Sequence, residues 1–145
     1  MFRQRGGGCM SYAATAALQS AVYGALTADT LVNGLTGGAI YDALPSGAVP
    51  SIYIRLGAER VRDASDKTGS GAVHDFPVTV VTESAGYQVG KQIAAAISDA
   101  LIDADLPLTR GSLMALNFLR ARARRVDNTR EIEVWFRARI DTTDA

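Results

Sequence analysis

Apolar residues recur with the period of an α-helix in two separate stretches of the chain. The positions spaced four residues apart are Leu18, Val22 and Leu26 in the first stretch and Ile93, Ile97 and Leu101 in the second. Such spacing places the apolar side chains along one face of a helix. Ser11 and Ser84 precede the two stretches and are suitable N-cap residues. The pattern therefore predicts helices over residues 11–28 and 85–103.

Other stretches alternate apolar and polar residues, which is typical of β-strands with one buried face. The predicted strands cover residues 40–41, 52–56, 73–82, 113–125 and 131–141. Asp127-Asn128-Thr129 separates the last two strands and predicts the turn of a β-hairpin. Pro77 lies inside the third strand and cannot donate a backbone hydrogen bond, which predicts a sheet edge or a bulge near it.

Two stretches between these elements are less regular. After the first helix, Asp29 is predicted to cap a short helical turn that ends at Asn33-Gly34, because these residue types readily adopt a left-handed conformation. Residues 58–71 are mostly polar. They predict either a long exposed loop or a strand extension that reaches beyond the body of the domain.

The order of helix, strands, helix and hairpin predicts an α+β fold. We expect a two-layer sandwich, in which a mainly antiparallel sheet carries two helices packed on one face and ends in a C-terminal β-hairpin. Residues 10–141 are predicted to form its single domain. Three consecutive glycines predict that residues 1–9 are a flexible N-terminal extension, and residues 142–145 are a C-terminal tail. The other face of the sheet stays exposed in such a fold.

The composition is that of one globular domain. The chain has 145 residues, 48% of them hydrophobic, with 15 basic and 15 acidic side chains. A chain of this length can bury a substantial core without a disulfide or a structural metal. One cysteine and one histidine cannot supply a four-ligand zinc site. The balanced charge argues against general binding to nucleic acid or membrane surfaces, and no run of 18 apolar residues occurs, so no membrane partner is expected.

No arrangement of residues in the sequence points to catalysis. His74 is the only histidine and is followed by Asp75, but adjacent residues of a strand point to opposite faces and do not naturally form a catalytic pair. The sequence also has no Gly-x-Ser-x-Gly motif and no pair of carboxylates at metal-binding spacing. We therefore predict no enzyme activity, no cofactor, and no catalytic, cofactor-binding or metal-binding residue.

The clearest local departure from average composition is a cluster of arginines near the C-terminus. Seven of the 15 basic residues lie between positions 120 and 139, against three acidic residues. Alternation places Trp135, Arg137 and Arg139 on the exposed face of the last strand. Three interpretations stay open. We favour an interface between subunits, because arginine is enriched in interfaces. The others are a solvated face with cross-strand pairing to Glu131 and Glu133, and a basic hairpin that binds phosphates.

Short segments spread along residues 10–140 carry a resemblance to a known family. They are Met10-Ser11-Tyr12-Ala13, Leu18-Gln19, Val22-Tyr23, Ile40-Tyr41-Asp42-Ala43-Leu44-Pro45, Lys67-Thr68-Gly69 with His74, Leu119-Arg120-Ala121-Arg122 and Phe136-Arg137-Ala138-Arg139. Together they resemble the tail-terminator (tail-completion) family of long-tailed phages. The short chain and its arginine-rich closing hairpin are most similar to the version found in bacterial gene transfer agents, which are phage-like particles that package host DNA.

The resemblance implies a structural protein of a virion-like particle. Members of the family oligomerise as a ring, typically of six copies, that caps the head-proximal end of a completed tail tube and supplies the surface that joins the head. The implied partners are copies of the protein itself, the tail tube protein and the head-tail connector protein, with DNA present only in transit through the lumen. Assembly is expected in the bacterial cytoplasm. Family members are not enzymes and have no known cofactor.

A closed ring of identical copies needs two different, complementary patches on each subunit. We hypothesise that arginines of the hairpin meet acidic residues of the adjacent copy, with Asp63, Asp66 or Asp75 as acceptors. The candidate interface residues are Arg120, Arg122, Trp135, Arg137, Arg139, Asp63, Asp66 and Lys67. The same arginines also fit a basic lining of the channel, and a small nucleic-acid-binding module that uses the hairpin stays the alternative function.

Overall fold

Three helices and six strands make up the part of the chain that the structure, a computed structural model, describes: residues 14–43, 47–64, 71–83, 87–102 and 104–141. The helices are α1 (Thr15–Ala28), α2 (Thr30–Thr36) and α3 (Gln88–Leu101). The strands are β1 (Ile40–Tyr41), β2 (Ile52–Leu56), β3 (Arg60–Asp63), β4 (Gly71–Thr82), β5 (Ser112–Val126) and β6 (Thr129–Asp141). The predicted extension at 1–9, the predicted tail at 142–145, and the predicted caps Ser11 and Ser84 lie outside the described residues.

All six strands belong to one sheet. Its order is β1-β2-β4-β6-β5, and β3 pairs with β4 on the same side as β2. β1 and β5 therefore form opposite edges of the sheet. Among the described strands β1 and β2 run parallel, and every other pair is antiparallel. This architecture confirms the predicted α+β fold with a mainly antiparallel sheet.

Pro77 marks the point at which β4 changes its neighbour. Residues 72–75 of β4 pair with β3, and residues 78–82 pair with β2. Pro77 lies between these stretches, where its carbonyl accepts a hydrogen bond from the backbone N–H of Gly57 at 3.0 Å. The N–H and C=O of a strand residue point to the same side. The N–H that proline lacks would therefore point into the gap beside Pro77, between the end of β2 and the start of β3. The gap is the local edge that the sequence predicts near Pro77.

The described helices cover one face of the sheet, which we call the inner face, and none of them packs on the opposite, outer face. The apolar inner-face side chains of β6 are all buried, which confirms the predicted register; they are Ile132, Val134, Phe136, Ala138 and Ile140. They share one core with the apolar stripes of α1 and α3, which are Leu18, Val22, Leu26, Ile93, Ile97 and Leu101. α3 approaches β6 closely at Gly90, where a Cβ atom would lie 3.0 Å from Cδ1 of Ile132.

β5 contains two irregularities in its pairing with β6, at Met114 and at Leu119, and the second determines which of its arginines face outward. Phe118 pairs with Phe136 on the inner face, whereas Arg120 pairs with Trp135 on the outer face. Leu119, between Phe118 and Arg120, is therefore an extra residue that shifts the alternation of the strand. The arginines that this shift places on the outer face are Arg120, Arg122 and Arg124.

The predicted turn after α1 is a complete helix, and its predicted end is wrong. Asp29 caps α2 as predicted, since its Oδ1 atom accepts the backbone N–H of Val32 at 3.0 Å. α2 continues through Asn33 and Gly34 and ends at Gly37, which has a φ of 66°. The side-chain amide of Asn33 donates to carbonyl oxygens at the α1–α2 junction, including that of Asp29 at 2.9 Å. Asn33 therefore holds two helices together and does not terminate one.

The remaining differences between prediction and structure concern the bounds of the elements. Of the two alternatives for residues 58–71, the strand is observed, because Arg60–Asp63 forms β3 against the start of β4. α3 is shorter than the predicted 85–103. The hairpin loop is the two-residue Asp127-Asn128, with Asp127 at a φ of 53°, so Thr129 already belongs to β6.

None of the described helices is long and apolar enough to cross a lipid bilayer.

Candidate assembly surfaces

The outer face contains the arginine side of the predicted interface. The candidate residues that the register of β5 and β6 brings onto this face are Arg120, Arg122, Trp135, Arg137 and Arg139. The acidic candidates are placed differently. Asp63 lies at the end of β3, opposite Ala72, while Asp66 and Lys67 lie outside the described residues.

Trp135 is fixed by three neighbours on the outer face. The guanidinium of Arg120 lies 4.9 Å from the centroid of its ring, and that of Arg60 lies 5.8 Å from it. Both distances are within the range of a cation–π interaction. The Nε1–H of Trp135 donates to Oε1 of Glu133 at 2.9 Å. Together with Arg122 these side chains line an open cavity of about 510 Å³, so the tryptophan organises the arginines around it.

Asp75 and Arg137 form a two-point ion pair that joins β4 to β6. Nε of Arg137 donates to Oδ1 at 2.8 Å, and Nη2 donates to Oδ2 at 2.9 Å. The hydrogen bonds from Arg137 lower the pKa of Asp75 below its ordinary value, although partial burial of the carboxylate acts in the opposite direction. Both carboxylate oxygens of Asp75 are therefore engaged within the chain, and an arginine of an adjacent copy would have to share them with Arg137.

Glu131 contacts two further arginines. Its carboxylate is largely buried and lies 3.3 Å from Nη2 of Arg124 and 3.7 Å from Nη2 of Arg55. The three side chains link β2, β5 and β6, and this is the cross-strand pairing that the solvated-face interpretation predicts. Within the described ranges, Arg122 and Arg139 form no ion pair. These two outer-face arginines can therefore pair with a carboxylate of another molecule.

The edge of the sheet at β5 combines positive charge with exposed apolar side chains. Phe118 is 50% exposed and Met114 is 60% exposed. Phe118 also lines a groove of about 290 Å³ between β5 and α3, together with Ala94, Ala121 and Arg122. No described strand pairs with β5 on its far side. We call this region the β5 edge and define it by Met114, Phe118, Arg120, Arg122, Arg124 and Arg125.

The opposite edge of the sheet contains a cleft between α1 and β1. Its volume is about 710 Å³. The residues that line this α1–β1 cleft include Gln19, Tyr23, Tyr41, Asp42 and Glu59. Asp42 accepts a hydrogen bond from Nε2 of Gln19 at 3.2 Å. Our sequence reasoning missed this cleft, although the sequence has no lysine or arginine between Arg5 and Arg55, and this long stretch without positive charge is a signal that could have indicated it.

His74 and Asp75 point to opposite faces of the sheet, as predicted. His74 lies on the inner face opposite Ala138 and is fully buried. Neither of its ring nitrogens has a hydrogen-bond partner among the described residues. Burial lowers the pKa of the imidazole, and the negative charges of Glu59 and Asp75 oppose this shift. The part of the chain that the structure describes contains no group of three or more His, Cys, Asp and Glu side chains that could hold a metal ion.

Comparison with known proteins gives one family and two similar structures. Residues 20–141 match the family model described as tail completion protein gp17. A chain in the solved structure of the virion of a native gene transfer agent particle is 54% identical, with a TM-score of 0.86, and the alignment covers 90% of this chain and 99% of that one. A second solved structure is 16% identical with a TM-score of 0.54, covers 87% of this chain and 94% of its own, and shares the fold alone. No curated protein matches the chain.

Proposed function

Because this chain belongs to the tail completion protein gp17 family, we propose that it forms a ring that terminates the tail tube of a gene transfer agent and joins the tube to the head. The family membership confirms the resemblance found in the sequence. A structural role in a phage tail follows from that membership. The ring, its six copies, its position at the head-proximal end and its assembly in the cytoplasm are parts of the proposal.

The observation that carries this proposal is the similarity to a chain of a gene transfer agent virion over nearly the whole length of both chains. The two are 54% identical, and 99% of the virion chain is covered. Buried positions alone cannot account for identity at this level, so the similarity extends to surface residues. Surface residues determine which proteins a virion component contacts. A protein with this surface is therefore expected to occupy a matching place in its own particle.

In this role the protein acts by binding and not by catalysis. Its proposed partners are further copies of itself, the tail tube protein and the head-tail connector protein, while DNA passes through the lumen. We propose that the contacts of the ring draw on the outer-face residues Arg120, Arg122, Trp135 and Arg139, and on Asp63, Asp66 and Lys67. The arginines are suited to this because a guanidinium binds the carboxylate of a neighbour through two hydrogen bonds.

The proposal is tested by deleting the gene in the bacterium that produces the particles. Electron microscopy of the deletion strain is expected to show tails of uncontrolled length and tails without heads, because nothing stops tube growth or joins the head. The wild-type gene, and a control gene with Arg110→Gln in the exposed connection between α3 and β5, should restore finished particles. Reconstruction of those particles should place a ring of this chain at the head-proximal end of the tail. Tails of normal length joined to heads in the deletion strain would overturn the proposal.

A further inference from the structure

The two edges of the sheet differ in charge. The β5 edge contributes four exposed arginines, at positions 120, 122, 124 and 125. At the other edge, the described residues from 14 to 54 contain no lysine or arginine, and the α1–β1 cleft is lined by the acidic residues Asp42 and Glu59. Opposite charges on surfaces that face each other favour association and suppress wrong pairings. One edge of this molecule is therefore electrostatically complementary to the other edge of a second copy.

The position of the edges suits a ring. β1 and β5 are the first and last strands in the order of the sheet, so a contact between them joins copies side by side in one direction. Such a head-to-tail contact uses two different patches and generates a closed ring when the rotation between copies allows it. A contact of one edge with the same edge of another copy would end at a dimer, and at the β5 edge it would bring arginine against arginine.

The residues on each side have the chemistry of an interface. Phe118 is a half-exposed aromatic side chain beside Arg122, which lines both the groove next to α3 and the cavity on the outer face. The cleft offers Tyr23 and Asp42, and its volume of about 710 Å³ is large enough to enclose several side chains. Aromatic residues and arginine carry most of the binding energy in protein interfaces.

We propose that the β5 edge of each copy docks into the α1–β1 cleft of the next copy, with Phe118 entering the cleft and Arg122 pairing with Asp42. This inference rests on the proposed ring. It differs from the pairing expected from the sequence, since Arg122 pairs with Asp42 of the cleft and not with Asp63, Asp66 or Asp75.

The test reverses one charge at a time in the deletion strain. Arg122→Glu places a carboxylate opposite Asp42, and Asp42→Arg places a guanidinium opposite Arg122. Either variant alone is expected to reduce the number of finished particles roughly tenfold or more, because like charges then meet at every contact of the ring. Arg110→Glu is the matched control. Arg110 is exposed in the connection between α3 and β5 and is part of neither proposed contact surface, so this charge reversal should give as many finished particles as wild type.

Producing both single variants in one cell gives the sharpest result. The reversed edge of the Arg122→Glu chain then meets the reversed cleft of the Asp42→Arg chain. The unchanged edge of the Asp42→Arg chain likewise meets the unchanged cleft of the Arg122→Glu chain. Alternating copies should therefore close a ring with an even number of subunits and restore finished particles. Such rescue also excludes misfolding as the cause of the single defects, because an unfolded chain could not assemble.

The outcomes separate this inference from the proposed function. Normal particle numbers with both single variants, or single defects without rescue in the mixture, would overturn the docking of edge into cleft and leave the terminator role intact. Loss of particles with Arg110→Glu but not with Arg122→Glu would do the same. Absence of the wild-type chain from finished particles would overturn the proposed function itself.

Discussion

Arg137 binds both carboxylate oxygens of Asp75, a residue 62 positions away in the sequence, with its donors at 2.8 and 2.9 Å. The pair spans β4 and β6, which are adjacent strands of the sheet. Both oxygens of its carboxylate are engaged within the chain. Glu131 is likewise bound by Arg55 and Arg124, so these acids of the outer face are occupied, and arginines that form no ion pair among the described residues, such as Arg122, are left to bind a partner.

Replacement of the acid in this pair should give a pH-dependent loss of stability. The pKa of Asp75 is lower in the folded chain than in the unfolded one. The ionised carboxylate therefore stabilises the fold above the unfolded pKa of about 3.9, and this contribution is lost as the pH falls through the folded pKa. Asp75→Asn should unfold at a lower urea concentration than wild type at pH 7, and the difference should shrink below about pH 4.

The matched control for this measurement is Asp105→Asn, which changes an exposed acid in the connection after α3. This variant should unfold at the same urea concentration as wild type at pH 7. An Asp75→Asn variant as stable as wild type at pH 7 would contradict the role assigned to the pair.

The buried imidazole of His74 should make the fold sensitive to mild acid. Its pKa is lowered by burial in the folded chain, whereas the unfolded chain binds a proton near pH 6.5. The unfolded state therefore takes up more protons as the pH falls from about 8 to 5, and the free energy of unfolding decreases over this window. His74→Leu should remove most of that decrease. It should also be at least as stable as wild type at pH 8, because it removes a polar group without a partner among the described residues.

Urea unfolding at several pH values between 5 and 8 measures this effect. The window separates His74 from Asp75, whose contribution changes only in more acidic solution. Equal dependence on pH in wild type and His74→Leu would show that the histidine is not the group responsible.

Two glycines of one helix should respond to alanine in opposite directions. Gly34 lies within α2, and no atom lies within 4 Å of a Cβ built there. Gly34→Ala should therefore raise the free energy of unfolding by about 0.5–1 kcal/mol. Gly37 ends the helix with a φ of 66°, so Gly37→Ala should lower it by about 1–2 kcal/mol. If the helix ended at Asn33-Gly34 as the sequence predicts, Gly34→Ala would instead be destabilising.

How far the sequence predicts the sheet is clear from its last two strands. In β6 the apolar residues from Ile132 to Ile140 alternate without interruption, so one buried face fixes the register. In β5 both Phe118 and Ala121 face inward, although three positions separate them. Both side chains can face inward only because Leu119 between them is an extra, bulged residue. The position of this bulge depends on the pairing with β6 and not on a local sequence pattern.

Local patterns also fail where a side chain has a tertiary role. Asn33-Gly34 has the composition of a helix end, yet Asn33 lies inside α2 because its amide bonds to carbonyl oxygens at the end of α1. The α1–β1 cleft is a second example, because Gln19 and Asp42 are 23 positions apart in the sequence and form a hydrogen bond there. Periodicity within a helix or a strand contains no information about such a meeting, whereas the absence of basic residues before Arg55 does indicate the charge of that surface.

Positive charge on the outer face does not by itself make a DNA-binding site. Asp75, Glu131 and Glu133 already bind side chains of this face, and a phosphate would have to displace them or use the remaining arginines.

We expect the isolated chain to bind duplex DNA no more tightly than about 10⁻⁴ M at physiological salt, measured by fluorescence anisotropy. A nucleic-acid-binding module would instead bind tightly at low salt, with a log–log slope of about −0.9 for each phosphate contacted. Arg122→Gln with Arg139→Gln would then reduce the slope by about two, because each change removes one outer-face arginine that forms no ion pair among the described residues. Tight, salt-dependent binding that this double variant weakens would favour the nucleic-acid alternative over a surface built for protein contacts.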